Sequence, residues 1–314
     1  MPFNNLFHSI SSLPRYLEMP ASGLDMSDQA IRLIKFSKSK KGMDVDFFGE
    51  EKLPQGIIVS GEIIKKDDLI KVLSSLRKKY QLKFVKVSLP EEKSYFFKTE
   101  IPKVEDDEIR QSIEFRLEEN IPLKADEALF QYDVISKEHK NNSHLDVSVS
   151  VVPKAVAENY AEVLEKSGLF PTAFEVESRA VARSVVINTD NLSVMVVNIR
   201  DSVTIITMIK NGTVRFTSAF VMGANAITKA LEKNFSISFK EAEKMKEEKM
   251  FNEGKESVAM FFSMISVISE FKDEITKFYS YWLAKNDSEG ESGGKISKII
   301  LCGKDSAIIG LREY

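Results

Sequence analysis

The stretch Val194-Met195-Val196-Val197-Asn198-Ile199-Arg200-Asp201-Ser202-Val203-Thr204-Ile205-Ile206-Thr207-Met208-Ile209 reads as an apolar strand, a tight polar turn and a second strand. Gly23-Leu24-Asp25-Met26-Ser27-Asp28-Gln29-Ala30-Ile31-Arg32-Leu33-Ile34-Lys35-Phe36 has the same plan. A carboxylate in one copy (Asp25) and its amide in the other (Asn198) stands just before the turn, where it can hold a cation. A unit that recurs about half a chain later implies two similar half-folds. Two such hairpins facing each other form a cradle whose backbone N–H groups and serine hydroxyls point at phosphates. The same pattern also fits two ordinary hairpins of an α/β protein.

Working outward, the 314 residues suffice for two domains, each with its own core. Hydrophobic residues make up 43% and charged residues 29%, as in ordinary soluble globular chains. A formal net charge of −3 gives no footprint for nucleic acid. The single cysteine, Cys302, excludes an internal disulfide and argues for a reducing compartment. With only three histidines beside it, a zinc site of His and Cys is not expected. The beginning of the chain lacks the basic and apolar regions of a signal peptide, and the run from Val258 to Phe271 is too short and too polar to span a bilayer. A cytoplasmic protein without a transmembrane segment is expected.

Residues 1–21 read as a leader. The first hairpin is followed by a strand at Val45–Phe48 and by a helix over Asp67–Lys79 that Asp67 is placed to cap, with Leu69, Leu73 and Leu76 on one face. Residues 84–152 read strand, strand, helix, strand, strand, a small α+β insertion. A helix opens at Pro153 and stops at Gly168. A short strand (Ala173–Val176) and a helix (Glu177–Asn188) follow, and Asn188–Asn191 marks a domain boundary. In the second half Asn211-Gly212 is a strong hairpin signal. Helices are expected at Ala224–Asn234, Phe239–Met250 and, as one long element, Ser257–Lys285, whose stripe of Phe261, Ile265, Ile268, Phe271, Ile275, Phe278 and Trp282 reads as core packing. A flexible acidic linker (Asn286–Gly294) and a strand at Ile296–Leu301 end the chain. His139 and His144 flank a solvated hairpin loop, and no Ser, Cys or His catalytic arrangement is present.

These parts together resemble the actin/Hsp70-like ATPase fold, and more narrowly the PilM family of type IV pilus assembly proteins, relatives of the cell-division protein FtsA. The resemblance is carried by Gly23-Leu24-Asp25 with Ile31-Arg32-Leu33, by Glu114 to Leu123 with Tyr132-Asp133-Val134, and by Lys166-Ser167-Gly168-Leu169 with Pro171, Glu175, Glu177-Ser178 and Ala180. Phe235 to Ser238 with Glu241 to Lys246, and Ile299-Ile300-Leu301-Cys302-Gly303 to Gly310-Leu311, complete it. It implies an α/β, actin-like (ribonuclease H-like) two-domain fold with duplicated mixed sheets flanked by helices, plus the insertion. The divisions are then 22–83 and 153–190 for the first actin-like domain, 84–152 for the insertion and 191–314 for the second domain. The chain stops where the family continues into another helical segment, which reads as a shortened chain.

The resemblance further implies a protein under the inner membrane that grips the short N-terminal cytoplasmic tail of the membrane protein PilN and couples the motor ring to the alignment complex, with exposed residues of 84–135 as candidates for the tail groove. It also implies an ATP and Mg²⁺ site drawn from Asp25 (with Mg²⁺), Ser27, Asp28, Gln29, Asn198, Arg200, Asp201, Ser202, Gly223, Glu243, Lys246, Gly303 and Lys304. Here the chain departs from the family. Ser27 stands where the first turn has glycine, Asn198-Ile199-Arg200 replaces Asp-x-Gly, Lys304 replaces the second glycine of a pair, and Gly223-Ala224 replaces Gly-Gly. Glycine permits close approach of backbone to phosphate, often at positive φ, so a degenerate and weakened site is expected. Glu243 and Lys246, three apart on one helical face, are placed to hold ribose hydroxyls; the same spacing also fits a solvated ion pair. A PilM-like adaptor ranks ahead of an active FtsA-like ATPase or filament former. A sugar or acetate kinase of this fold, for which Asp25 and Glu177 are the only carboxylate candidates, ranks last.

Overall fold

A computed structural model describes residues 20–39, 42–136, 144–186, 192–249, 255–289, 295–308 and 310–312. The chain divides into two compact units, Met1–Leu89 with Ala155–Glu175, and Pro90–Lys154 with Val176–Tyr314.

The first unit opens with β1 (Ala21–Met26), β2 (Ala30–Ser39) and β3 (Gly42–Lys52), continues through the two-residue pair β4 (Ile58–Val59) and β5 (Glu62–Ile63), and then forms α1 (Lys66–Tyr80) and β6 (Phe84–Leu89). The chain next builds β7 (Tyr95–Pro102), α2 (Ile109–Asn120), β8 (Ala128–Ser136) and β9 (His144–Pro153) in the second unit. It returns with α3 (Lys154–Lys166) and β10 (Phe170–Val176). The remainder is α4 (Glu177–Val185), β11 (Ser193–Ile199), β12 (Thr204–Lys210), β13 (Thr213–Phe220), α5 (Ala224–Phe235), α6 (Phe239–Lys249), α7 (Lys255–Ser263), α8 (Ile265–Glu289) and β14 (Lys298–Gly303).

The duplication expected from the two hairpins is present in the sheets. One sheet has the order β10-β6-β1-β2-β3 and the other β13-β12-β11-β14. In each, the first strand of the repeated hairpin pairs antiparallel with the second and parallel with a later strand, β1 with β6 and β11 with β14. Strand β11 is buried on both faces. Met195, Val197 and Ile199 join the core under α5, α7 and α8, while Val194 and Val196 join Ala182 and Val186 on the other side. That two-sided burial explains its near-continuous apolar sequence.

The insertion is a three-stranded antiparallel sheet, β7-β9-β8, with Ile109, Ile113 and Leu117 of α2 packed on Val147, Val149 and Val151. The strand expected to begin it, β6, instead joins β1 in the five-stranded sheet. Pairing decides this: β6 runs parallel to β1, with Val85, Val87 and Leu89 buried in that sheet.

Two further expectations are corrected. Helix α1 begins at Lys66 without a side-chain cap, and Asp67 and Asp68 lie in its first turn, where carboxylates favour the positive end of the helix dipole. The long helix over Ser257–Lys285 is broken at Met264 into α7 and α8. There Met264 N–H bonds Phe261 O at 3.0 Å, the Ser263 hydroxyl turns back to Met260 O at 2.6 Å, and the Ser263 carbonyl accepts from the Asn234 amide. Such back-bonding diverts the groups a continuous helix needs. By contrast, Asn211 and Gly212 take φ of 54° and 73°, as a two-residue hairpin turn requires, and Gly168 (φ 79°) ends α3 as expected. The boundary at 188–191 and most of the linker at 286–294 lie outside the described residues.

Candidate functional site

In the first unit the turn after β1 is closed by its own atoms. Ser27 N–H and Ser27 Oγ both donate to Ala30 O, at 2.9 and 3.0 Å, and Ala30 N–H donates back to Ser27 Oγ at 3.1 Å. The Asp28 carboxylate accepts the backbone N–H groups of Ser60 (2.8 Å) and Gly61 (3.2 Å), fixing the loop between β4 and β5. Gln29 O accepts the Leu53 N–H at 2.7 Å. Asp25 accepts the Ser88 hydroxyl at 2.6 Å and lies 3.8 Å from Arg32, with both charged side chains about one-third exposed. Of the four residues expected here, Asp25 is therefore the one whose carboxylate holds no backbone. Among the described residues no cluster of three or more His, Cys, Asp or Glu is arranged to hold a metal ion.

In the second unit the corresponding turn is closed by the same backbone bond, Arg200 N–H to Val203 O at 2.9 Å, and is braced by charge. The Asn198 amide donates to Glu177 Oε1 at 2.9 Å, Arg200 donates to Glu177 Oε2, and Glu92 lies 3.6 Å from the Arg200 guanidinium. Arg200 and Glu177 are both buried. The backbone N–H groups at the start of α5 do not face an anion: Ala224 N–H bonds Arg200 O at 2.8 Å and Asn225 N–H bonds Asp201 O at 2.9 Å. Gly223 makes this possible, because a Cβ there would lie 2.4 Å from Arg200 O. Gly303, at φ 86°, is held on the other side, where a Cβ would lie 2.1 Å from Ile199 O and 2.6 Å from Asn198 Oδ1. These two glycines bring chain against chain. Ser202 is exposed at the tip of the turn.

The third group lies on α5, α6 and the turn after β14. Ser238 and Glu241 cap each other at the start of α6, with Ser238 N–H on Glu241 Oε2 at 2.8 Å and Glu241 N–H on Ser238 Oγ at 3.3 Å. One turn later Lys246 is 1% exposed. Its ammonium donates to Glu243 at 2.8 Å and to the Thr228 hydroxyl at 2.8 Å, and lies 2.6 Å from Asp305 as an ion pair. Lys304 bonds Asp201 at 2.9 Å and lies 3.4 Å from Glu243.

The protonation equilibria follow the geometry. Burial pushes the Glu243 carboxyl up, but hydrogen bonds from Lys246 and Thr228 and the Lys246 and Lys304 charges outweigh it and hold the group down at about 2. Burial lowers Lys304, yet Asp201, Glu243 and Asp305 leave it raised. For Asp305 burial prevails over the nearby lysines and its carboxyl is raised. Burial, then the Glu177 charge, pushes the Cys302 thiol up to about 11, which favours the neutral thiol.

The structure thus gathers Asn198, Arg200, Asp201, Gly223, Glu243, Lys246, Gly303 and Lys304 around one turn, and places Asp25, Ser27, Asp28 and Gln29 on the matching turn of the other unit. Lys246 is buried and the Glu243 side chain is 14% exposed, so the pair is not a solvated one. Sequence reasoning missed Asp305, Thr228, Glu92 and Ser88, and had Glu177 as part of the family resemblance and as a kinase carboxylate but not as a partner of Arg200. Asp305 carried a usable signal, since it follows Lys304 directly and continues the late strand's turn.

The sequence pattern described as Type IV pilus assembly protein PilM matches residues 23–314. The chain belongs to that family. Its fold is similar to that of a solved structure titled "PilM-PilN type IV pilus biogenesis complex", with a TM-score of 0.75 at 15% identity, covering 94% of this chain and 84% of that one. The ethanolamine utilization protein EutJ from Carboxydothermus hydrogenoformans gives a TM-score of 0.54 at 15% identity, over 91% and 86% of the two chains. MreB5 of Spiroplasma citri bound to ADP gives 0.54 at 11% identity, over 92% and 86%. The fold is therefore actin-like, as the sequence resemblance implied.

Proposed function

We propose that this PilM-family chain is an adaptor of the type IV pilus assembly machinery that works at the cytoplasmic face of the inner membrane and holds the N-terminal cytoplasmic tail of a PilN-like protein. The family match supports this reading, as does the likeness to a PilM–PilN complex. Among the described residues no helix is long and apolar enough to cross a membrane, which fits attachment through a partner. Exposed apolar side chains within 84–135, Phe115 on α2 and Leu129 on β8, are assigned to the tail-binding surface.

The observation that carries the adaptor reading over an ATPase is Lys246. An ATP site in this fold needs free cations and free N–H groups for phosphate and ribose. Here the Lys246 ammonium, the Lys304 ammonium and the first N–H groups of α5 all have partners in the protein, so the residues of this turn do not fit ATP·Mg²⁺ without losing those bonds. By the resemblance, Arg200 and Lys304 stand where the family has glycine.

The test is fluorescence anisotropy of a labelled peptide of the PilN-like protein's cytoplasmic tail. Saturable binding is expected, unchanged by ATP with Mg²⁺ and weakened at least about tenfold in a Phe115→Ala, Leu129→Ala variant, a loss of about 1.4 kcal/mol or more. Absence of binding by the folded chain, or equal binding by the variant, would overturn the assignment.

A further inference from the structure

The first unit carries a surface that neither turn uses. Strand β3 spans 11 residues and is the outermost strand of its sheet. Among the described residues no strand pairs with its outer edge. Its inner face is anchored: the Phe47 ring stacks on Tyr80 of α1 with centroids 5.5 Å apart, and a Cβ at Gly49 would lie 2.6 Å from the Tyr80 hydroxyl. Its outer face is bare. Met43 is 71% exposed, Val45 51% and Phe48 78%, and Phe36, directly across from Val45 on β2, is 48% exposed.

Natural edge strands are usually short, charged on the exposed face or twisted away, because their open N–H and C=O groups recruit other strands. The ladder does shift between Lys35 and Phe36, yet apolar side chains persist on both sides of that shift. A long, anchored edge with contiguous exposed apolar groups fits strand addition by an extended segment.

The charges select among occupants. β3 carries Asp44, Asp46, Glu50 and Glu51 against Lys52 alone. Asp46, Glu50 and Glu51 meet Lys35 (3.2 Å), Arg32 (2.8 Å) and Lys79 (3.4 Å), surface pairs with side chains one-third or more exposed that contribute little and leave the carboxylates reachable. Four acidic residues against one lysine leave β3 with an acidic excess that a second copy would bring against itself, although pairing about Phe48 would set Asp44 opposite Lys52. Like charges facing across a ladder are unfavourable. The edge therefore disfavours its own copy and favours a basic strand.

We propose that β3 is a docking edge for an extended segment of a partner protein in which apolar residues alternate with Lys or Arg. This goes beyond the tail-binding reading, which rests on residues 84–135, and stands or falls separately from it.

The experiment uses the full chain and a labelled peptide of alternating Val and Lys, with an alternating Val and Glu peptide as control, followed by anisotropy and by amide hydrogen exchange. Saturable binding of the Val-Lys peptide, with new protection confined to β3, is expected. It should fall at least about tenfold in a Val45→Lys, Phe48→Lys variant, equivalent to about 1.4 kcal/mol. Both substituted side chains are at least half exposed, and an unchanged melting transition would verify that the variant folds. Equal binding of the Val-Glu peptide, undiminished binding by the variant, protection elsewhere than β3, or a dimer of the free chain that the variant abolishes would each overturn the proposal.

Discussion

The turn at residues 26–30 and the turn at residues 199–203 hold the same place in two sheets of matching topology and share one backbone bond, Ser27 N–H to Ala30 O and Arg200 N–H to Val203 O, but different forces hold their side chains. The first is closed by short-range neutral hydrogen bonds of Ser27 and Ala30, with Asp25 left beside water. The second is braced by ions, buried Glu177 with Arg200 at the turn and Lys246 with Asp305 and Glu243 beside it. One duplicated hairpin has kept a carboxylate within reach of solvent. The other has turned a set of ligand-like side chains into a framework. Buried charges of this kind are stable only as a set, because each one removed strands its partner in a medium that solvates it poorly.

The comparison can be broken most sharply at Lys246. Lys246→Met should destabilise the chain by about 3–5 kcal/mol, because Asp305 and Glu243 lose their cation, whereas adding Asp305→Leu should recover much of that loss. Chemical denaturation of the single and double variants measures both. A cost under about 1 kcal/mol for the single variant would mean that the ions are not jointly held.

The second effect is in acid. Glu243 has a folded-state pKa of about 2 against its ordinary 4.5, so its contribution is complete above about pH 4.5 and is lost as the pH falls toward 2. Unfolding free energy measured between pH 5 and pH 2 should decline less steeply in Glu243→Gln than in the parent. Parallel profiles would contradict the depressed pKa.

The smallest effect is expected in the other turn. Asp25→Asn keeps the side chain's shape and its contact with the Ser88 hydroxyl, and removes only a pair one-third exposed, so it should cost less than about 1 kcal/mol. A loss as large as that of Lys246→Met would erase the contrast between the turns.

How much of this was legible in the sequence follows from which forces act locally. The strand-turn-strand copies, the Asn211-Gly212 hairpin and the Gly168 stop are set by periodicity and by residues with special φ, and these read directly from the chain. The placement of β6 was not legible, since its sequence alternates like any half-covered strand and only pairing decides its sheet. The break at Met264 depends on Asn234, 30 residues earlier, reaching the neighbouring Ser263 carbonyl. The departures from glycine at Ser27, Arg200 and Lys304 pointed to an altered site. They did not reveal how it is filled, because Asp305, Thr228 and Glu177 come from separate elements and meet Lys246 and Arg200 only in three dimensions.

We propose that the cations of the second turn, held by Glu177, Glu243, Asp201 and Asp305, weaken the hold on a nucleotide. Calorimetric titration of the intact chain with ATP and Mg²⁺ tests it most directly, with Lys246→Ala as the companion sample. Weak or no saturable heat is expected from a folded sample of the parent chain. Tight saturable binding that disappears in the variant would contradict it, and would show that Lys246 exchanges its protein partners for the nucleotide.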